Sequence, residues 1–172
     1  YYYLTRYEKG QDYPIYSRKK GSLDAKDEIL FDCNELAKGQ SYFALGGMSI
    51  SPDNKLALFS TDVMGRRIYT MQVKDLETGN LLADKIENVD GSGVWANDNK
   101  TFFYVTQDKK TLRSDKVFRH QIGTADKKDP LVFEEKDDTF NLSIGKEKSK
   151  KYIVIESGST LTTEYQTLLT DD

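Results

Sequence analysis

Short runs of aromatic and β-branched residues alternate along the chain with clusters of Gly, Asn, Asp and Lys. Runs of this length, bounded by turn-forming residues, are typical of β-strands. Residues 32–39 differ, because apolar residues recur there at helical spacing ahead of Gly39 and predict one or two helical turns. The pattern as a whole predicts an all-β fold. The clearest predicted strands are Tyr1–Tyr7, Lys55–Ser60, Arg67–Lys74, Thr101–Thr106, Lys116–Ile122, Leu131–Glu134, Lys151–Glu156 and Tyr165–Leu169.

A ten-residue phrase recurs three times along the chain, as Ser51–Ser60, Ala96–Val105 and Glu147–Glu156. Each copy is a polar turn followed by five strand-forming residues. Another short strand precedes each copy, and a third strand containing an aromatic residue follows it. Four antiparallel strands in about 45 residues form the blade of a β-propeller, in which each small sheet buries its faces against its neighbours. The repeat therefore predicts propeller blades.

The phase of the repeat predicts a partial β-propeller, with blades at residues 1–38, 39–90, 91–138 and 139–172. Three, four, four and three predicted strands give fourteen, so the first and last blades are incomplete. We expect an arc cut from a ring, because a closed propeller needs more residues than this. Trp95 is predicted to pack between blades. The Gly46-Gly47 pair and Gly91-Ser92-Gly93 are predicted to allow close backbone approach at the first strand of a blade.

The composition excludes some classes of function. A net charge of −3 leaves no excess of basic residues for a nucleic-acid footprint. No apolar run approaches the ~20 residues that span a bilayer, so no membrane segment is predicted. The single cysteine, Cys33, cannot form an internal disulfide, which favours a reducing, cytoplasmic location. The chain does not begin with Met, so we expect it to be a piece of a longer polypeptide or a processed chain.

Catalytic and cofactor motifs are absent from the sequence. The single histidine, His120, lies within a predicted strand and is interpreted as structural, and no G-x-S-x-G motif occurs. Cys33 is interpreted as a small buried apolar residue. One His and one Cys cannot supply a typical zinc site, and no phosphate-binding loop is present. We therefore predict no catalytic, cofactor-binding or metal-binding residues in this chain.

Two charged runs remain as candidates for electrostatic roles. The acidic run Glu134–Asp138 is interpreted as a solvated loop, with the secondary hypothesis that its field attracts basic peptides. The basic run Lys146–Lys151 occupies the turn of the repeat and contains a glutamate but no aromatic residue for base stacking. Nucleic-acid binding there is not expected.

The chain resembles the amino-terminal propeller of oligopeptidase B, also called protease II, a family of the prolyl oligopeptidase superfamily of serine peptidases. The similarity runs in order along essentially the whole chain, which makes it more specific than any one motif. The segments that carry it are Tyr1–Lys19, Glu28–Ala37, Ser51–Asn54, Lys74–Gly79, Val94–Thr101, Phe118–Thr124 and Phe133–Phe140.

The resemblance implies a two-domain parent protein. In it a seven-bladed propeller covers an α/β-hydrolase domain that carries Ser, Asp and His and cuts peptides after Arg or Lys. The propeller acts as a lid that admits short, unstructured peptides. None of the family's triad positions has a counterpart in this sequence, and only about half of the seven-bladed ring is present. The implied partners are the hydrolase domain and short basic peptides.

Two interpretations of function remain open at this point. The first is a non-catalytic propeller lid of an oligopeptidase B-like peptidase. The alternative is a stand-alone propeller-type module that binds a protein partner through its loops. A small independent enzyme is disfavoured, because the sequence has no nucleophile–base pair. Under either interpretation, exposed strands at the ends of the arc are expected to promote self-association.

Overall fold

The computed structural model describes residues 1–170, and it is almost entirely antiparallel β-structure. One short helix, α1 (Cys33–Leu36), and a 3-10 turn at Asp126–Lys128 interrupt it. The strands are β1 (Tyr2–Arg6), β2 (Ile15–Lys19), β3 (Glu28–Asp32), β4 (Ala44–Ile50), β5 (Leu56–Asp62), β6 (Tyr69–Asp75), β7 (Leu81–Trp95), β8 (Thr101–Gln107), β9 (Ser114–Gln121), β10 (Leu131–Glu134), β11 (Asn141–Lys146), β12 (Tyr152–Gly158) and β13 (Thr163–Leu169).

The strands form sheets in simple up-and-down order. Their orders are β1-β2-β3, β4 to β10 in sequence, and β11-β12-β13. We call β1–β3 the first blade and β11–β13 the fourth. The second blade is β4–β6 with residues 81–89 of β7, and the third is the rest of β7 with β8–β10. This arrangement is the predicted all-β partial β-propeller, which is therefore confirmed.

The prediction of fourteen strands is wrong, because residues 1–170 contain thirteen. The last strand of the second blade continues into the first strand of the third as the 15-residue β7, without an intervening turn. The change of partner is made at a bulge, where Asn88 and Gly91 have positive φ of 62° and 104°. The predicted blade boundary at residue 90 lies inside this strand, so the boundaries themselves stay a prediction.

Two compact units are distinguishable by their internal contacts. The first comprises residues 1–44 and 63–65, and the second comprises the remaining described residues. In the first unit, Asp32 caps α1 by accepting bonds from the backbone N–H groups of Asn34 and Glu35. This confirms the predicted helical turn. Tyr13 packs edge-on against Phe43, with 5.8 Å between ring centroids.

Two apolar cores of the second unit lie between successive blades. One joins the second and third blades and contains Trp95, which is 2% exposed, so the prediction for this residue is confirmed. The other joins the third and fourth blades around Phe103, Leu142 and Ile153. Alternation of side chains along each strand lets one sheet supply apolar residues to both cores. Blade stacking is thus the main source of burial in this unit.

Candidate functional site

The first strands of the second and third blades approach closely through their glycines. A side-chain carbon at Gly47 would lie inside van der Waals contact of the Gly91 carbonyl oxygen. At Gly93, a Cβ would meet Leu58 Cδ2 at 2.6 Å and Met71 Cε at 2.9 Å. The predicted close backbone approach is confirmed for Gly47 against Gly91, whereas Gly46 and Gly93 are packed against side chains of the second blade.

The recurring turns are joined to one another by hydrogen bonds in which an asparagine side chain accepts or donates. The backbone N–H of Asp53 donates to Asn99 Oδ1 at 2.8 Å, which links the second blade to the third. Asn97 Nδ2 donates to the Lys150 carbonyl at 2.9 Å, which links the third blade to the fourth. The turns of the repeated phrase therefore join the second blade to the third and the third to the fourth.

The turns of the three copies of the repeated phrase share one backbone feature. Asn54, Asn99 and Lys150 occupy equivalent places in the repeat, with positive φ of 63°, 61° and 64°. Asn tolerates this left-handed conformation well, whereas Lys adopts it at a steric cost. The third copy therefore stores strain that the first two copies lack.

The acidic run is a structured connection between β10 and β11. The Arg113 guanidinium donates to the carbonyls of Glu135, Asp137 and Phe140 at 3.0–3.2 Å. The Glu135 side chain accepts a bond from the Ser157 hydroxyl, and Asp137 caps its own turn by accepting from Thr139. Two of the four carboxylates are thus committed to local structure.

The other two acids of this run face solvent. Glu134 lies 3.4 Å from Lys116 Nζ, and Asp138 is exposed. Accepting hydrogen bonds does not neutralise Glu135 or Asp137, whose pKa values are lowered by those bonds. All four carboxylates therefore contribute to the field on an approaching cation, and Lys116 offsets part of the charge of Glu134.

The basic run is also occupied by structural contacts. Lys146 Nζ donates to the Trp95 carbonyl at 2.9 Å and to Asn97 Oδ1 at 2.7 Å. The Glu147 carboxylate accepts bonds from the Ser149 hydroxyl and from backbone N–H groups in its turn. The Ser149 hydroxyl is the main cause that lowers the pKa of Glu147 to about 2. The segment is a self-capped turn.

His120 lies on β9 with its ring 1% exposed and both nitrogens in use. Nε2 lies 2.9 Å from Asp84 Oδ1, and Nδ1 lies 2.9 Å from both carboxylate oxygens of Asp129. Asp129 also accepts a bond from the Tyr104 hydroxyl at 2.9 Å. No serine or cysteine can use this imidazole as a base while both nitrogens are held.

Sequence reasoning identified His120 as structural but missed its partners. Asp84 and Asp129 lie 36 and 9 residues away along the chain. No local motif joins them. Blade packing brings Asp84 on β7 to His120 on β9, and the connection from β9 to β10 brings Asp129 back to the same ring.

Cys33 is unsuited to nucleophilic chemistry. Its side chain is 1% exposed, and burial, with a contribution from Asp32, raises the thiol pKa to about 11. The reactive thiolate is therefore scarce at neutral pH. Within residues 1–170 no group of three or more His, Cys, Asp or Glu side chains could hold a metal ion. None of the helices in this part of the chain is long and apolar enough to cross a bilayer.

Comparison with known proteins identifies the family to which this chain belongs. The model of the family described as prolyl oligopeptidase, N-terminal β-propeller domain, matches residues 1–169. The chain belongs to this family. Among curated proteins, this propeller chain is 37% identical to dipeptidyl aminopeptidase BI of Pseudoxanthomonas mexicana, covering 95% of the chain and 25% of that protein. It is 36% identical to protease 2 of Moraxella lacunata, covering 99% of the chain and 26% of that protein.

Solved structures give the same result for the prolyl oligopeptidase propeller. Oligopeptidase B from Leishmania major superposes with a TM-score of 0.88 at 31% identity, covering 98% of this chain and 24% of that one. Oligopeptidase B from Trypanosoma brucei, in a closed form with covalently bound antipain, gives 0.87 at 31% identity with the same coverage. The resemblance to oligopeptidase B is confirmed. The chain spans about a quarter of the length of these relatives.

Proposed function

We propose that this chain forms part of the propeller lid of an oligopeptidase B-like serine peptidase that cuts short peptides after Arg or Lys. Its contribution is steric and structural. The propeller docks against an α/β-hydrolase domain of the same polypeptide, which supplies the catalytic Ser, Asp and His. The observation that carries the proposal is the match to oligopeptidase B propellers along 98% of the chain.

Two features of the site support a non-catalytic role. His120 has both ring nitrogens engaged by aspartates, and the Cys33 thiol is buried with a raised pKa. Gly47 packs directly against the backbone at Gly91, so the first strands of the second and third blades are in close contact, as a rigid lid requires. The chemistry is accordingly assigned to the hydrolase domain.

The test compares the 172-residue chain with the full-length polypeptide. Both are assayed on an Arg-containing fluorogenic peptide, on longer peptides with the same Arg site, and on a folded domain that displays it. We expect no turnover by the chain alone. The full-length polypeptide should cut the short peptides and spare the folded domain. Robust turnover by the chain alone would refute the non-catalytic role.

The same assay also tests the alternative function, a stand-alone module that binds a protein partner. A full-length protein that fails to cut Arg or Lys peptides, and instead retains a protein partner through its loops, would support the interaction module. A downstream reading frame that encodes G-x-S-x-G and a late His would support the peptidase. The family match favours the peptidase lid.

We propose that the acidic run attracts basic peptides electrostatically. The contacts of its four acids determine which variant tests this best. Replacing all four acids would also break the bonds of Glu135 and Asp137. The better variant is Glu134→Gln with Asp138→Asn in the full-length polypeptide. We expect a lower kcat/KM for basic peptides at low salt and a smaller difference at high salt.

A matched control for this variant is Glu77→Gln with Asp24→Asn. Both control residues are exposed acids, and the pair removes the same net charge elsewhere on the surface. Equal kcat/KM for the two double variants at low salt would discard the electrostatic proposal and leave the lid proposal intact.

Self-association remains a proposal that rests on the sheet edges. β1 and β13 are end strands of their sheets, and Tyr2, Tyr165 and Leu169 on them are 48%, 63% and 48% exposed. Exposed apolar edge strands pair readily with other chains. Sizing of the chain at rising concentration should show dimers or larger species, and a strict monomer would refute the idea. A cytoplasmic location stays a prediction, which fractionation of cells would test.

A further inference from the structure

The Asp84–His120–Asp129 cluster joins two blades at a buried position. Asp84 lies in the part of β7 that belongs to the second blade, where neighbouring Lys85 and Ile86 pair with β6. His120 lies on β9 of the third blade, and Asp129 precedes β10 of the same blade. The side chains of Asp84, His120 and Asp129 are 4%, 1% and 2% exposed. The three side chains are therefore almost fully buried.

The bonding geometry limits which atoms can carry protons. An ionised carboxylate can only accept hydrogen bonds, and each imidazole nitrogen faces one at 2.9 Å. A neutral imidazole has one N–H and one lone pair, so one nitrogen would point its lone pair at a carboxylate oxygen. The remaining donors in the cluster, the Gly123 N–H and the Tyr104 hydroxyl, are already directed at Asp84 and Asp129. The imidazolium form satisfies both contacts.

We propose that His120 is an imidazolium at neutral pH and acts as a charged clasp that holds the second and third blades together. The clasp is independent of the glycine contacts between the first strands, which lie elsewhere on the same pair of blades. It requires no ligand or metal.

Other charged groups around the cluster are few and mixed in sign. Lys85 and Asp126 line a small cavity on the Asp84 side. Asp98, Arg119 and Lys128 line a larger cavity of about 410 Å³ on the Asp129 side. The Tyr104 hydroxyl has a pKa raised by burial and by the neighbouring Asp129, so it stays a neutral donor. None of these groups replaces the two aspartates as a direct partner of the ring.

The first test is a direct measurement of the ring protons. The chain has a single histidine, so 15N-labelled protein gives one set of imidazole signals. We expect both ring nitrogens to show the chemical shifts and attached protons of an imidazolium at pH 7. One nitrogen with the shift of an unprotonated lone-pair site would overturn the proposal. So would an infrared band of a protonated carboxyl that disappears in Asp84→Asn or Asp129→Asn.

Variants separate the charged clasp from ordinary packing. His120→Gln leaves two carboxylates facing each other without a cation, and we expect a Tm lower by roughly 6–20 °C. The triple variant Asp84→Asn, His120→Gln, Asp129→Asn removes the uncompensated charges and should recover part of that loss. A triple variant no more stable than His120→Gln would refute the charged clasp.

A matched control uses a nearby acid that does not touch the ring. Asp126→Asn changes the charge by the same amount in the adjoining cavity and should keep the imidazolium signals at pH 7. The double variant Asp84→Asn, Asp129→Asn should lose them. Retention of the imidazolium signals in the double variant would show that the two aspartates do not hold the ring proton.

Discussion

Replacement of Gly47 by Ala tests whether close approach of the first strands holds the blades in place. An added Cβ would fall inside the contact distance of the Gly91 carbonyl oxygen and 3.3 Å from its carbonyl carbon. Both atoms belong to the backbone of β7, so no side-chain rotation can relieve the clash. The two first strands would have to move apart to accept one methyl group.

The magnitude follows from two opposing effects. Overpacking of a well-filled contact costs about 1–3 kcal/mol. Removing glycine also restricts the unfolded chain, which stabilises the folded state by about 0.4–1 kcal/mol. The free energy of unfolding should therefore fall by about 1–2 kcal/mol. For a chain of this size the corresponding fall in Tm is roughly 2–8 °C.

Gly145→Ala is the matched control for this experiment. Gly145 lies on β11, the first strand of the fourth blade, and a Cβ there would meet nothing within 4 Å. Its φ is not positive, so Ala should be tolerated and should raise stability by about 0.4–1 kcal/mol. Urea unfolding of both variants and the parent chain measures the difference. Equal stability of Gly47→Ala and Gly145→Ala would refute the close-approach argument.

Three further predictions concern individual side chains. Lys150→Asn should raise the free energy of unfolding in urea titrations by about 0.5–1 kcal/mol, because Asn adopts the positive φ of this position at a lower steric cost than Lys. Lys148→Asn in the same turn is the control and should not raise it. Equal effects of the two substitutions would contradict this prediction. Cys33 should react with iodoacetamide only on unfolding, because burial raises its pKa to about 11, and rapid labelling of folded protein would disprove that interpretation. Glu147 has a pKa lowered to about 2, so its stabilising effect is complete above its ordinary pKa and is lost as pH falls toward 2. Glu147→Gln should flatten the acid limb of the stability curve, and an unchanged acid limb would contradict the assignment.

The lid proposal, the electrostatic proposal and the charged-clasp proposal can each be refuted independently of the others. Turnover by the isolated chain removes the first, and equal kcat/KM of the paired acid variants removes the second. A neutral imidazole signature removes the third without affecting the other two. Each rests on different residues, so one negative result leaves the others open to their own tests.

Much of the fold could be predicted because its determinants are local. Turn residues such as Asn54 and Asn99 mark where each hairpin reverses, and period-two alternation marks the strands between them. The capped helical turn after Asp32 likewise depends on neighbours within three residues. The sequence pattern did not predict that two strands continue into one another as β7, because the Gly-containing segment around the bulge at Gly91 is typical of a turn.

Local pattern, through turn chemistry, strand alternation and a repeated phrase, determined that this chain is built from small antiparallel sheets of three or four strands. Tertiary structure alone decided which distant polar groups meet. It placed Asp84 and Asp129 on either side of His120, and it directed Arg113 into the carbonyls of the acidic connection. The physical reason is that these contacts depend on three-dimensional packing. Asp84 reaches His120 from the neighbouring blade, whereas Asp129 and Arg113 make their contacts through connections that fold back on the third blade. The periodicity of a strand encodes neither kind of contact.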